Sequence, residues 1–146
     1  MPKNTDQVTV NGVVFEYGDI FSVIDNFYHR VQMDAELKVP FQSVHDWPEH
    51  VARLVHFWWI KFGGAPYLFG YYNPVAKHFF AGFNDQLLKR WKNIFGDVLK
   101  DHLKNEQAAL WAQIVEQMGK SLTIKNESFK KEYDLSNPKG NSSNNP

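Results

Sequence analysis

A chain of 146 residues that is 43% hydrophobic fits one domain with one core. Sixteen basic side chains balance sixteen acidic ones, so no overall positive field attracts a phosphate backbone, and nucleic acid is not an expected partner. The sequence has no cysteine, which excludes a disulfide framework, a thiolate-held iron–sulfur cluster, a cysteine nucleophile and thioether-linked haem. Any metal centre must rest on histidine or carboxylate.

No apolar run approaches the ~18 residues of a membrane span, and the start lacks the apolar stretch of a signal peptide. A soluble cytoplasmic protein with no membrane partner is expected. The unusual figure is the aromatic share of 16%, from twelve Phe, six Tyr and five Trp. Rings in that number need a large core or a flat apolar ligand to lie against.

Residues 1–18 alternate V-T-V around Asn11-Gly12, the dipeptide that supplies the positive φ angles of a tight hairpin turn. Either a small hairpin or an ordered arm fits this extension. From Asp19, read as an N-cap, the period changes: Ile20, Phe21, Val23, Ile24, Phe27, Tyr28 and Val31 follow helical spacing and predict a helix over about 19–33. The link that follows carries Pro40 and Phe41, and a bulky aromatic in a link usually plugs something. Asp46-Trp47-Pro48-Glu49 combines a capping acid, a first-turn proline and a glutamate three residues after the cap, and predicts a second helix over about 47–62. "GGAPYLFGYYNP" reads as a loop.

A short turn carrying His78 precedes a third helix capped by Asn84 or Asp85, with Leu87, Leu88, Trp91, Ile94, Phe95, Val98 and Leu99 on one face. Asn105 is read as the cap of a fourth, whose stripe is Trp111, Ile114, Val115, Met118 and Leu122. The predicted domain runs over 19–123. Residues 124–146 turn to Lys, Asn, Ser, Gly and Pro and are expected to form a disordered tail.

On the second helix His50, Arg53, Leu54, Phe57 and Trp58 share one side, at i, i+3, i+4, i+7 and i+8. A lone histidine heading such a stripe is more often a half-buried core residue. Here Tyr28 and Trp91 bring two further polar-tipped side chains from neighbouring helices, and buried Tyr O–H and Trp N–H groups need partners. His78 stands beside Lys77 and ahead of two phenylalanines. An iron porphyrin needs an axial imidazole, apolar walls and cations for its propionates. His78 fits the first need, Phe41, Leu54, Phe57, Trp58, Phe79, Phe83 and Trp91 the second, Arg53 and Lys77 the third. Without the rest of the pattern, His78 reads better as a surface histidine in a loop. His29, His45, His56 and His102 are given no site role. No HExxH spacing marks a zinc site, though His45, His50 and His78 are a conceivable ligand set.

"FYHRV", "PF" in the link, "WPEHVARLVHFWW", "KH" in the turn and "RWKNIF" together resemble the truncated haemoglobins, and are most similar to group 3. The likeness spans about residues 19–123. It implies an all-α, two-over-two helical globin around haem b (iron protoporphyrin IX), with His78 as proximal ligand and Tyr28, His50 and Trp91 lining the distal side. Phe27 and Phe41 match family positions that pack near the tyrosine and the haem. The extension and the compact "FFAGF" link depart from the family pattern. The implied function is reversible binding of O2 and related diatomic ligands, NO and CO, at ferrous iron, opposite His78. Nitric oxide dioxygenase or peroxidase-like turnover with an unidentified reductase is the catalytic version, and the sequence does not decide whether the protein is an enzyme. The alternative is an aromatic helical bundle without haem that docks another protein.

Overall fold

The computed structural model describes residues 1–68 and 84–136, with side chains through residue 120. It opens on a hairpin: β1 (Gln7–Val10) pairs antiparallel with β2 (Val13–Glu16), Val8 opposite Phe15 and Val10 opposite Val13. Asn11 and Gly12 make the turn at φ of 50° and 82°, the consecutive left-handed residues whose twist suits a two-residue hairpin. Strand alternation then turns Val8 and Phe15 into the core and leaves Thr9 and Val14 in solvent. Of the two readings of the extension, the structure takes the hairpin, and docks it.

Helix α1 (Tyr17–Met33) follows β2 without a linker. Asp19, expected as the cap, is instead the third helical residue: Glu16 is the N-cap, and its backbone N–H donates to the Asp19 carboxylate at 3.1 Å. The helix begins two residues early because the extension supplies acceptors for first-turn donors that have no partner within a helix. Tyr17 N–H donates to the Asp6 carbonyl at 2.8 Å and Gly18 N–H to that of Asn4 at 2.9 Å.

Helix α2 (Trp47–Lys61) starts as its signals predict. Asp46 accepts from the Glu49 N–H at 3.1 Å, with Pro48 in the first turn. Gly63 stops it at a φ of 104°. Gly64 then passes so close to the Trp59 indole that a Cβ there would overlap the ring. In the α1–α2 link, Asp34 Oδ2 accepts the backbone N–H groups of Glu36 and Leu37, and Oδ1 accepts from the Arg90 guanidinium at 2.6 and 3.1 Å. The Arg90 hydrogen bonds hold the Asp34 carboxyl below the usual carboxylate range.

Asn84 caps helix α3 (Asp85–His102) by accepting from Leu87 N–H at 2.9 Å. Helix α4 (Asn105–Ser136) begins at the residue read as its cap; the Lys104 N–H donates instead to Gln107 Oε1 at 3.0 Å. The other end of that amide donates to the Val14 carbonyl at 2.8 Å and ties β2 to α4. The helix runs on through Ser136, past the edge at 123 where composition turns polar. Helix α1 packs on α2 and α3, α3 packs on α4, and β2 lies against α4 and α1. Phe15, Phe27, Phe95 and Trp111 are the largest fully buried side chains. The four described helices pack into a mostly helical fold, with the hairpin docked ahead of α1.

Candidate functional site

The N-terminal half of α2 carries the candidate site. Its capped start fixes Trp47 and His50 one turn apart, and the link brings Phe41 back across them. Tyr28, late in α1, is buried against this group. Its ring lies 5.2 Å from the His50 imidazole at 85°, and 5.9 Å from both Phe41 and Trp47. His50 in turn meets Trp47 at 5.4 Å and Phe41 at 6.0 Å. Edge-to-face contacts dominate, the arrangement that ring quadrupoles favour. The plug anticipated at Phe41 is therefore a cover over the Tyr28–His50 pair.

Trp91 enters from α3. It lies flat on Phe95 at 4.9 Å and 5°, and edge-on to Phe27 at 5.0 Å. Phe27 also touches Tyr28 at 4.7 Å, so Tyr28 and Trp91 are joined through the Phe27 ring. Leu54 is buried on the same side of α2, and half-buried Phe57 packs against Trp58 at 5.4 Å. Trp58 itself reaches into the middle of the fold, 5.3 Å from Trp111 and 6.2 Å from Phe95. Arg53 stays in solvent, paired with Glu49 at 3.3 Å. Lys77, His78, Phe79 and Phe83 lie outside the described residues, and with them the proximal half of the predicted site.

Two participants escaped the sequence reading. Trp47 was read only as a helix start, although its place three residues before His50 puts both on one face. Phe95, four residues after Trp91, was read as core and also backs the Trp91 indole. His56, given no role, does bond: its Nε2 accepts the backbone N–H groups of Tyr67 at 3.1 Å and Leu68 at 3.2 Å. It faces Tyr67 rather than His50.

No group of three or more metal-ligating side chains occurs among the described residues, so the zinc alternative gains nothing from them. No described helix is long and apolar enough to cross a membrane. Among the described residues, the group around Tyr28 holds no carboxylate or ammonium. It places one O–H and ring N–H donors within an apolar surround, where hydrogen bonds and dipoles act more strongly than in water. Such a donor set suits a small, weakly polar ligand beside an apolar macrocycle, and the residues present fit a haem pocket's distal half.

No family model matches the chain, and no curated protein matches its sequence. Its structure is similar to the crystal structure of a group III truncated hemoglobin from Campylobacter jejuni. That match has a TM-score of 0.68 at 20% identity and covers 76% of this chain and 91% of that one. The fold is that of a truncated globin, similar to group III.

Proposed function

We propose that this protein is a haem-binding globin that takes up O2, NO and CO reversibly, with haem b as its group and the cytoplasm as its place of work. The observation that carries the reading is the Tyr28–His50 pair, 5.2 Å apart under Phe41 and Trp47, on a truncated globin scaffold. Haem, when bound, would supply an iron able to take up a diatomic ligand.

The chain's own residues do the rest. His78 is the proximal imidazole, and Lys77 stands next to it in sequence for a propionate. Arg53 is a second rim cation, exposed and able to exchange Glu49 for a propionate at little cost, since exposed pairs contribute only ~0–1 kcal/mol. Leu54, Phe57, Trp58 and Phe83 give apolar walls. Tyr28 O–H and Trp91 N–H donate toward the ligand, and His50 heads the cavity at its entrance. Phe41 and Trp47 keep water from competing for those donors.

Purified protein, or apoprotein given hemin, should show a strong Soret band, and His78→Ala should weaken or abolish tight haem binding. Unchanged affinity and iron coordination in that variant would remove His78 from the reading. A protein that binds no haem at all would favour the docking bundle instead. Nitrate production from NO with a supplied reductant, against simple uptake and release of O2, separates turnover from carriage.

A further inference from the structure

The His56 side chain binds the backbone of the stretch that leaves α2. Behind Gly63 and Gly64 the chain doubles back alongside the helix, and the His56 ring meets Tyr67 edge-on at 4.6 Å and 88°. Nε2 of His56 faces two donors at once, the backbone N–H groups of Tyr67 and Leu68 at 3.1 and 3.2 Å. A nitrogen that receives two N–H groups carries no hydrogen, so the proton of this imidazole sits on Nδ1. Tyr67 is then pinned from its far end too, by a hydrogen bond of 2.7 Å between its hydroxyl and that of Tyr17 at the start of α1.

From this geometry we propose that His56 is a proton-operated latch: the neutral ring holds residues 65–68 against α2, and protonation at Nε2 releases them. The added proton removes the acceptor of both backbone groups and sets a third donor against them. The proposal concerns the 65–68 stretch alone and stands whether or not the chain binds haem.

The described groups around the ring do not counter the change. Tyr67 faces it from the following stretch, with Tyr17 behind; the Tyr67 phenol is pushed up by burial and by the Tyr17 hydroxyl, so it offers no negative charge to an imidazolium. One turn away on α2 stand Ala52, Arg53, Trp59 and Ile60, and the Arg53 guanidinium is engaged by Glu49 at 3.3 Å. Burial alone moves the imidazole, and moves it below the ordinary histidine value of 6.5. The sign follows: the unfolded chain takes up the proton first as pH falls, so the latch contributes its stability above 6.5 and loses it as pH drops through the lowered value.

The test is an NMR titration of the full chain labelled with 15N. At neutral pH the His56 ring should show the Nδ1–H tautomer. As the ring protonates below pH 6.5, protection of the Tyr67 and Leu68 amides, corrected for intrinsic exchange, should fall at least tenfold in the same step, with the amides of α1 and α4 still protected. His56→Phe should leave both amides unprotected at every pH, and Tyr67→Phe should keep the pH step, since the acceptor remains. An Nε2–H tautomer at neutral pH, or amides that stay protected through the protonation of His56, would overturn the latch. The titration of the unaltered chain decides this even if neither variant folds.

Discussion

Both ends of α2 are faced with aromatic rings, and the two sets differ in their tips. Toward the C-terminal end, Trp58 and Phe62 meet Phe15, Phe95 and Trp111 at 4.9 to 6.2 Å, and these rings fill space. The Trp111 N–H is buried there with no hydrogen-bond partner among the described residues. Toward the N-terminal end the rings are Trp47 and His50 with Tyr28 and Phe41 around them, so a phenol, an imidazole and an indole collect in one place. On the proposed reading, the same residue class serves cohesion at one end and ligand chemistry at the other. Tip polarity, rather than ring content, tells them apart.

The contrast breaks if substitutions at the two ends do the same thing. Trp111→Ala should have the largest effect, a loss of about 3–5 kcal/mol in denaturant unfolding, because the ring is fully buried among four others. A loss under about 1 kcal/mol would mean that the cohesive end is not cohesive. Gly64→Ala comes next, at about 1–3 kcal/mol, since its Cβ would overlap the Trp59 indole and one of them must shift. Retention of the parental melting temperature would show that residues beyond α2 move freely away from the ring.

At the other end the expected change is in ligand kinetics, with stability little altered. Tyr28→Phe keeps the ring and its contacts while removing a hydroxyl worth roughly 0.5–1.5 kcal/mol, so O2 release should speed by up to about tenfold in stopped flow. No change would remove the hydroxyl from ligand retention. His50→Leu should act mainly on the entry rate. If the haem-loaded parent without added ligand is six-coordinate and low-spin, and this variant turns five-coordinate, His50 is itself an iron ligand.

What could be read in the sequence was whatever is settled within one or two turns of chain. Asp46, Pro48 and Glu49 marked the start of α2 because capping involves residues three apart. Asn11-Gly12 marked the hairpin because φ is a property of the residue. The helix-face argument grouped His50 with Leu54 and Trp58, their polar tips joined Tyr28 and Trp91 to it from neighbouring helices, and the resemblance gave the three one side of a haem. Unreadable were the contacts that fold geometry alone creates: Arg90 on Asp34, Gln107 on the Val14 carbonyl, His56 on the backbone beyond Gly64. The early start of α1 belongs with these, since acceptors from Asn4 and Asp6 make the difference, and local propensity knows nothing of them. The misplaced cap at Asn105 has a nearer cause: Lys104 stands at the cap, and its backbone N–H donates to the Gln107 side chain three residues on, a bond that a glutamine in the first turn can always offer.

The seamless junction of β2 and α1 bears on how the chain can be cut or tagged. Glu16 is both the last residue of a strand and the cap of a helix, and Phe15 beside it closes over Phe62 and Trp111. Trimming the protein to the globin boundary at residue 19 would therefore strip α1 of its cap and leave two large rings facing water, a patch prone to self-association. A label or fusion partner belongs at Met1 instead. It is 89% exposed and stands ahead of every contact that seats the hairpin.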